Sequence, residues 1–75
     1  MIMSPSEREA ILGKAREICG RYTEGITVAE PLVLTNGLGV CLHVPNQQAL
    51  DSASLKSIIQ QIERIPGVER VFAEV

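Results

Sequence analysis

Aromatic residues are almost missing from this chain: among 75 residues there is no tryptophan, one tyrosine (Tyr22) and one phenylalanine (Phe72). Two rings cannot make a stacking platform for nucleic-acid bases. A charge excess is missing too. The formal net charge is −2, so nucleic acid, with its phosphate backbone, is not an expected partner. No apolar run approaches the roughly 20 residues of a membrane-spanning helix, so direct membrane insertion is not expected. Met1-Ile2-Met3 is too short for the core of a signal peptide. Histidine occurs once, at His43, and cysteine twice, at Cys19 and Cys41. Without a secretion signal or a compact cysteine framework, the expectation is a cytoplasmic protein with two free thiols.

What is present is enough to fold. With 45% hydrophobic and 21% charged residues, the composition is not that of a disordered chain. The length implies a single domain over residues 1–75. A domain of this size buries only about 60% of its unfolded surface and commonly gains stability from a staple or a partner.

The clearest unit is Asp51 to Val75. Asp51 is placed to cap a helix, and Leu50 and Leu55 have the spacing of a hydrophobic staple. Leu55, Ile58, Ile59, Ile62 and Ile65 then recur on one helical face. Pro66 cannot continue the helix, and Gly67 tolerates the left-handed backbone of a C-terminal cap. Val68, Val71, Phe72, Ala73 and Val75 supply a terminal strand.

Ahead of it, Ser4-Pro5-Ser6-Glu7 is a capping box with proline at the first helical position. It opens a helix to about Arg21, with Ile11, Ala15, Ile18 and Tyr22 in one stripe and Leu12 and Cys19 beside it. Residues 26–35 read as a strand interrupted at Glu30-Pro31, hence an edge strand or one carrying a bulge. Asn36-Gly37 signals a hairpin with a type I′ turn, or a wider turn that includes Gly39. The return strand runs to about Val44. Leu38, Val40, Leu42 and Val44 share one of its faces, and Gly39, Cys41 and His43 the other. Pro45 to Ala49 reads as a polar loop.

The expected fold is therefore α+β, in the order αββαβ: a two-layer sandwich whose three-stranded sheet is covered on one face by two helices. The second strand, second helix and last strand form a crossover, right-handed if those strands are parallel.

This order, the run Asn36-Gly37-Leu38-Gly39-Val40-Cys41-Leu42-His43-Val44 and the ending Val71-Phe72-Ala73-Glu74-Val75 resemble the cytoplasmic C-terminal domain of cation diffusion facilitator (cation efflux) transporters. The resemblance covers about Ile11 to Val75 and implies a ferredoxin-like fold lacking its first strand, in a free-standing relative of those regulatory domains. It also implies dimerisation and, in many members, binding of zinc or a related divalent cation. His43 stands at the family's strand histidine and Glu74 near its terminal acid. The family's helix-borne histidine has no counterpart, since the start of this helix offers only Ser52 and Ser54. Heavy-metal-associated domains share the broad fold, but their Cys-x-x-Cys loop is absent.

Cys41 and His43 are the one pair with the look of a site. Two apart on a strand, they point the same way, roughly 7 Å apart. That exceeds the 2.6–3.2 Å or so of a nucleophile–base hydrogen bond. It suits two ligands of zinc or another divalent cation, with Glu74 as a third from the neighbouring strand or another subunit. The plainer alternative makes Cys41 a small apolar residue and His43 a surface or dimer-facing one. Cys19 belongs to the core, Glu30 guards an edge, and Gly37-Leu38-Gly39 leads into no helix and so cradles no phosphate. No serine has a histidine–acid arrangement around it, so an enzyme is not expected. The face away from the helices carries Cys41, His43 and Phe72 with Arg70 and Glu74 in line, and an exposed aromatic on a small sheet marks an interface. The expectation is a binding or oligomerisation domain that forms a homodimer through the sheet face or an open edge. The alternatives are a divalent-metal sensor or chaperone, and a module that takes a peptide or small ligand at an open sheet edge.

Overall fold

The computed structural model describes residues 3–75; Met1 and Ile2 of the short N-terminal apolar run lie outside the described residues. Helix α1 covers Pro5–Gly20. Its start follows the capping logic: Ser4 Oγ accepts from the Glu7 amide, and the same hydroxyl donates to Glu7 Oε1 at 3.2 Å. The buried side of the helix is Ile11, Leu12, Ala15, Ile18 and Cys19, as the stripe predicts.

The sheet has four strands, not three. The expected first strand is split into β1 (Thr27–Val28) and β2 (Leu32–Val33). Both pair antiparallel with β3 (Leu38–His43), at opposite ends of it. Thr27 faces His43 and Val28 faces Leu42, whereas Leu32 faces Gly39 and Val33 faces Leu38. The register slips by one residue between the two segments. The slip falls at Glu30-Pro31, where proline has no amide to give the ladder.

The connection from β2 to β3 departs from a type I′ turn. That turn needs positive φ at both central residues, and among the described residues only Gly25 and Gly67 have it. The turn is instead centred one residue earlier, on Thr35-Asn36, with the Leu34 amide bonded to the Gly37 carbonyl. It is held from outside, because Glu69 Oε1 accepts from the Asn36 amide at 2.8 Å. Gly39 belongs to β3 rather than to the turn.

The polar stretch after Val44 is not all loop. A single helical turn, α2 (Gln47–Leu50), is capped by Asn46, whose Oδ1 accepts from the Ala49 amide at 2.8 Å. Asp51 ends that turn instead of starting the next helix, its amide bonding to Gln47. Ser52 takes the cap of α3 (Ala53–Glu63): its Oγ accepts from the Leu55 amide at 3.2 Å. Leu55, Ile58 and Ile62 of α3 are buried, with Ile59 and Ile65 packed partly against the core. Each fully buried aliphatic contributes about 1.5–3 kcal/mol before its ordering entropy is subtracted. Gly67, at φ 97°, turns the chain after Pro66 into β4 (Val68–Glu74).

β4 runs parallel to β3 along its whole length, on the edge opposite β1 and β2. The β3–α3–β4 segment is thus a crossover, and the sheet is mixed. A bulge at Glu69 lets Val68 pair with Leu38 and Arg70 with Gly39. Leu38, Val40, Leu42 and Val44 are all nearly inaccessible and share one core with the buried faces of α1 and α3. Both helices therefore lie on one face of the sheet. Tyr22, just past α1, locks the helices together: its hydroxyl shares a 2.9 Å hydrogen bond with Ser57 Oγ and accepts one from Gln61 Nε2 at 2.9 Å.

Candidate functional site on the open sheet face

One face of the sheet carries the core, and no layer of the described residues covers the other. Alternation along β3 aims Gly39, Cys41 and His43 at the open face. Register then adds their neighbours: Arg70, Phe72 and Glu74 of β4 lie beside Gly39, Cys41 and His43 in turn. On the other edge Thr27 lies beside His43 and Leu32 beside Gly39. The Ala29 amide bonds to the Cys41 carbonyl at 2.8 Å, so a row Ala29–Cys41–Phe72 crosses the middle of the face.

Apolar side chains gather along this row. Phe72 is 37% exposed and Leu32 49%. Both lean over Gly39 together with Leu34. A methyl group on Gly39 would stand 3.1 Å from Phe72 Cε2, 3.1 Å from Leu34 Cδ1 and 3.4 Å from Leu32 Cβ. Gly39 is itself buried although it points outward, because these three side chains roof it. Between the two edges runs an open groove of roughly 590 Å³, lined by Ala29, Glu30, Leu32, Cys41, Phe72 and Glu74 among others.

Cys41, His43, Glu74, Phe72 and Arg70, the residues that the sequence assigns to a metal site or an interface, are all on this face. The structure sets Glu74 directly beside His43 at one end of it, with Cys41 in the middle row. They do not close into a metal site: no group of three or more histidine, cysteine, aspartate and glutamate residues able to hold a metal ion occurs among the described residues. Partial burial raises the Cys41 thiol above its ordinary pKa, and the negative charge of Glu74 raises it further. In the metal-free protein both effects favour the neutral thiol, which is not the nucleophilic form. Phe72 and Arg70 lie side by side along β4, Phe72 partly exposed and Arg70 at the surface. Cys19 is buried in the core and its pKa is raised by that burial.

Leu32 and Leu34 are members of this surface that the sequence pattern does not single out. Their place depends on the one-residue slip at Pro31, which resets which residues of the split strand look outward. The available signal was the proline itself, read together with alternation from β3 backwards.

No family model, curated protein or solved structure matches the chain. Among the described residues, no helix is long and apolar enough to cross a membrane.

Proposed function

We propose that the protein is a small, non-enzymatic association domain of ferredoxin-like type, and that it works as a homodimer joined through the open face of its sheet. The observation that carries the proposal is the apolar surface of Phe72, Leu32 and Leu34 over Gly39. Exposed large apolar groups gathered in one patch mark a contact surface more often than a solvated one. The resemblance of the element order to the regulatory domains of cation diffusion facilitators, which dimerise, supports the same reading. A small core that gains from a partner fits it too.

Sedimentation equilibrium or light scattering at rising micromolar concentration tests it. The expected result is a mass approaching twice that of the monomer, falling to the monomer mass in Leu32→Asp with an unchanged far-UV circular dichroism spectrum. A monomer mass for the natural sequence at high micromolar concentration sinks the proposal.

A further inference from the structure

Arg70, Phe72 and Glu74 stand at alternate positions of β4 and so face the same way, with Arg70 and Glu74 about 13 Å apart at strand rise. Both charged residues are exposed. The ion pairs among the described residues are Arg16–Glu9 and Arg21–Glu17, so neither Arg70 nor Glu74 forms an ion pair among them. The pattern is a positive charge, an aromatic ring and a negative charge, evenly spaced. Reversed end for end, it is its own electrostatic complement.

A two-fold interface requires that kind of surface, in which residue i meets residue j and j meets i. Resting on the association reading above, we infer that two copies stack sheet on sheet about a two-fold axis along the row Ala29–Cys41–Phe72. This axis reverses the strand direction of the second copy. Phe72 then lies over Phe72 and Cys41 over Cys41. Arg70 of each copy meets Glu74 of the other, giving two symmetric ion pairs at the rim of an apolar centre. Packed sheets stand about 10 Å apart with strands some 30° from alignment, a gap that arginine and glutamate side chains bridge together.

Two other symmetric arrangements compete. An axis parallel to the strands sets Phe72 over Ala29 and Arg70 over Leu32. It leaves the charge against an apolar partner, which costs desolvation without a counter-charge. Edge-to-edge pairing of two β4 strands is open, because β4 has a partner only on the β3 side. It can match the same charges, but it leaves Leu32, at the far edge of the sheet, and the groove beside Cys41 in water.

Charge reversal separates these cases. Arg70→Glu makes both rim charges negative, and Glu74→Arg makes both positive. Each variant alone is expected to associate about tenfold or more weakly than the natural chain, since like charges now meet twice. Mixed one to one, the two variants should restore the dimer as a heterodimer, because all-negative strands then meet all-positive ones. Leu32→Asp should abolish dimerisation of the natural charge pattern. Sedimentation of the separate and mixed variants, with circular dichroism to confirm folding, reads every outcome. If the natural chain is monomeric, the association reading itself fails. If the natural chain dimerises but mixing rescues nothing, the axis is wrong while association stands. If mixing rescues the dimer but Leu32→Asp leaves it intact, the copies join at the β4 edge and the stacked arrangement is overturned.

Discussion

Two glycine-to-alanine substitutions, identical in chemistry, should move stability in opposite directions. Gly13 lies in the middle of α1, and a methyl group there would meet nothing within 4 Å. Alanine in a helix interior is better than glycine by about 0.8–1.0 kcal/mol, because less backbone freedom is lost on folding. For a domain of this length that is a rise in melting temperature of about 4–8 °C. Gly37 is the opposite case. Its methyl would stand 2.7 Å from the Gly67 carbonyl oxygen, and 3.3 Å from both the amide nitrogen and Cβ of Glu69. The nearest atom is backbone, and that backbone is fixed: the Gly67 carbonyl accepts from the Leu38 amide at 2.8 Å. Relief requires the β2–β3 loop and the start of β4 to part, straining this bond and the Asn36–Glu69 bond. Overpacking of this sort costs about 1–3 kcal/mol, and the gain from a stiffer unfolded chain, about 0.4–1 kcal/mol, does not offset its upper range. The net expectation for Gly37→Ala is a loss of one to two kcal/mol or so. Thermal and urea unfolding followed by circular dichroism measure both variants. A Gly37→Ala protein as stable as the natural one would refute the close approach of the two glycines, and with it the docking of the hairpin loop on the β4 bulge.

Tyr22→Phe should cost about 1 kcal/mol in urea unfolding. It deletes the hydroxyl that ties the end of α1 to Ser57 and Gln61, although those two still bond each other at 3.2 Å and soften the loss. Stability should also fall on the alkaline side. Burial raises the Cys19 pKa in the folded state, so the fold holds a proton that the unfolded chain releases from about pH 8.5 upward. The thiol's contribution is complete below that value and is lost as pH rises through the folded pKa. A pH series of melting temperatures should show this decline, and Cys19→Ala, whatever its overall cost, should flatten it; an equally steep profile in the variant would assign the decline to other groups.

The helical layer was legible because its signals are local. The isoleucine spacing of α3 and the proline–glycine stop require no knowledge of the rest of the chain, and the alternation of β3 sorts Leu38, Val40, Leu42 and Val44 to the core without it. Boundaries were less legible where two candidate caps compete. Asp51 and Ser52 are adjacent and both suit a helix start, and the decision fell to Ser52 because Asn46 starts an extra turn that Asp51 ends. The hairpin was misread for a tertiary reason: Asn36-Gly37 prefers a type I′ turn in isolation, but Glu69 and the Gly67 carbonyl hold the loop in another shape. The open face was half legible. Cys41, His43, Phe72, Arg70 and Glu74 follow from alternation within single strands. Leu32 and Leu34 depend on register between strands, and the slip at Pro31 and the bulge at Glu69 set that register through pairing that no single segment reveals.

The same residues could be asked to do two different things, and the structure makes the demands unequal. A metal reading needs Cys41 as a thiolate, with Glu74 and His43 turned toward one point. Among the described residues no three such groups gather to hold an ion, and in the metal-free protein Glu74 favours the neutral thiol. A dimer reading needs Cys41 only as a small, neutral group at the centre of a contact, which is the state that burial and Glu74 both favour. It also gives the otherwise unmatched Glu74 an opposite charge, in the Arg70 of a second copy. Glu74 cannot hold a metal at its own corner and at the same time reach across to that arginine. The proposed symmetric contact is the reading that uses Glu74, Arg70, Phe72 and Cys41 together, and its axis sets His43 over Gly39 of the second copy.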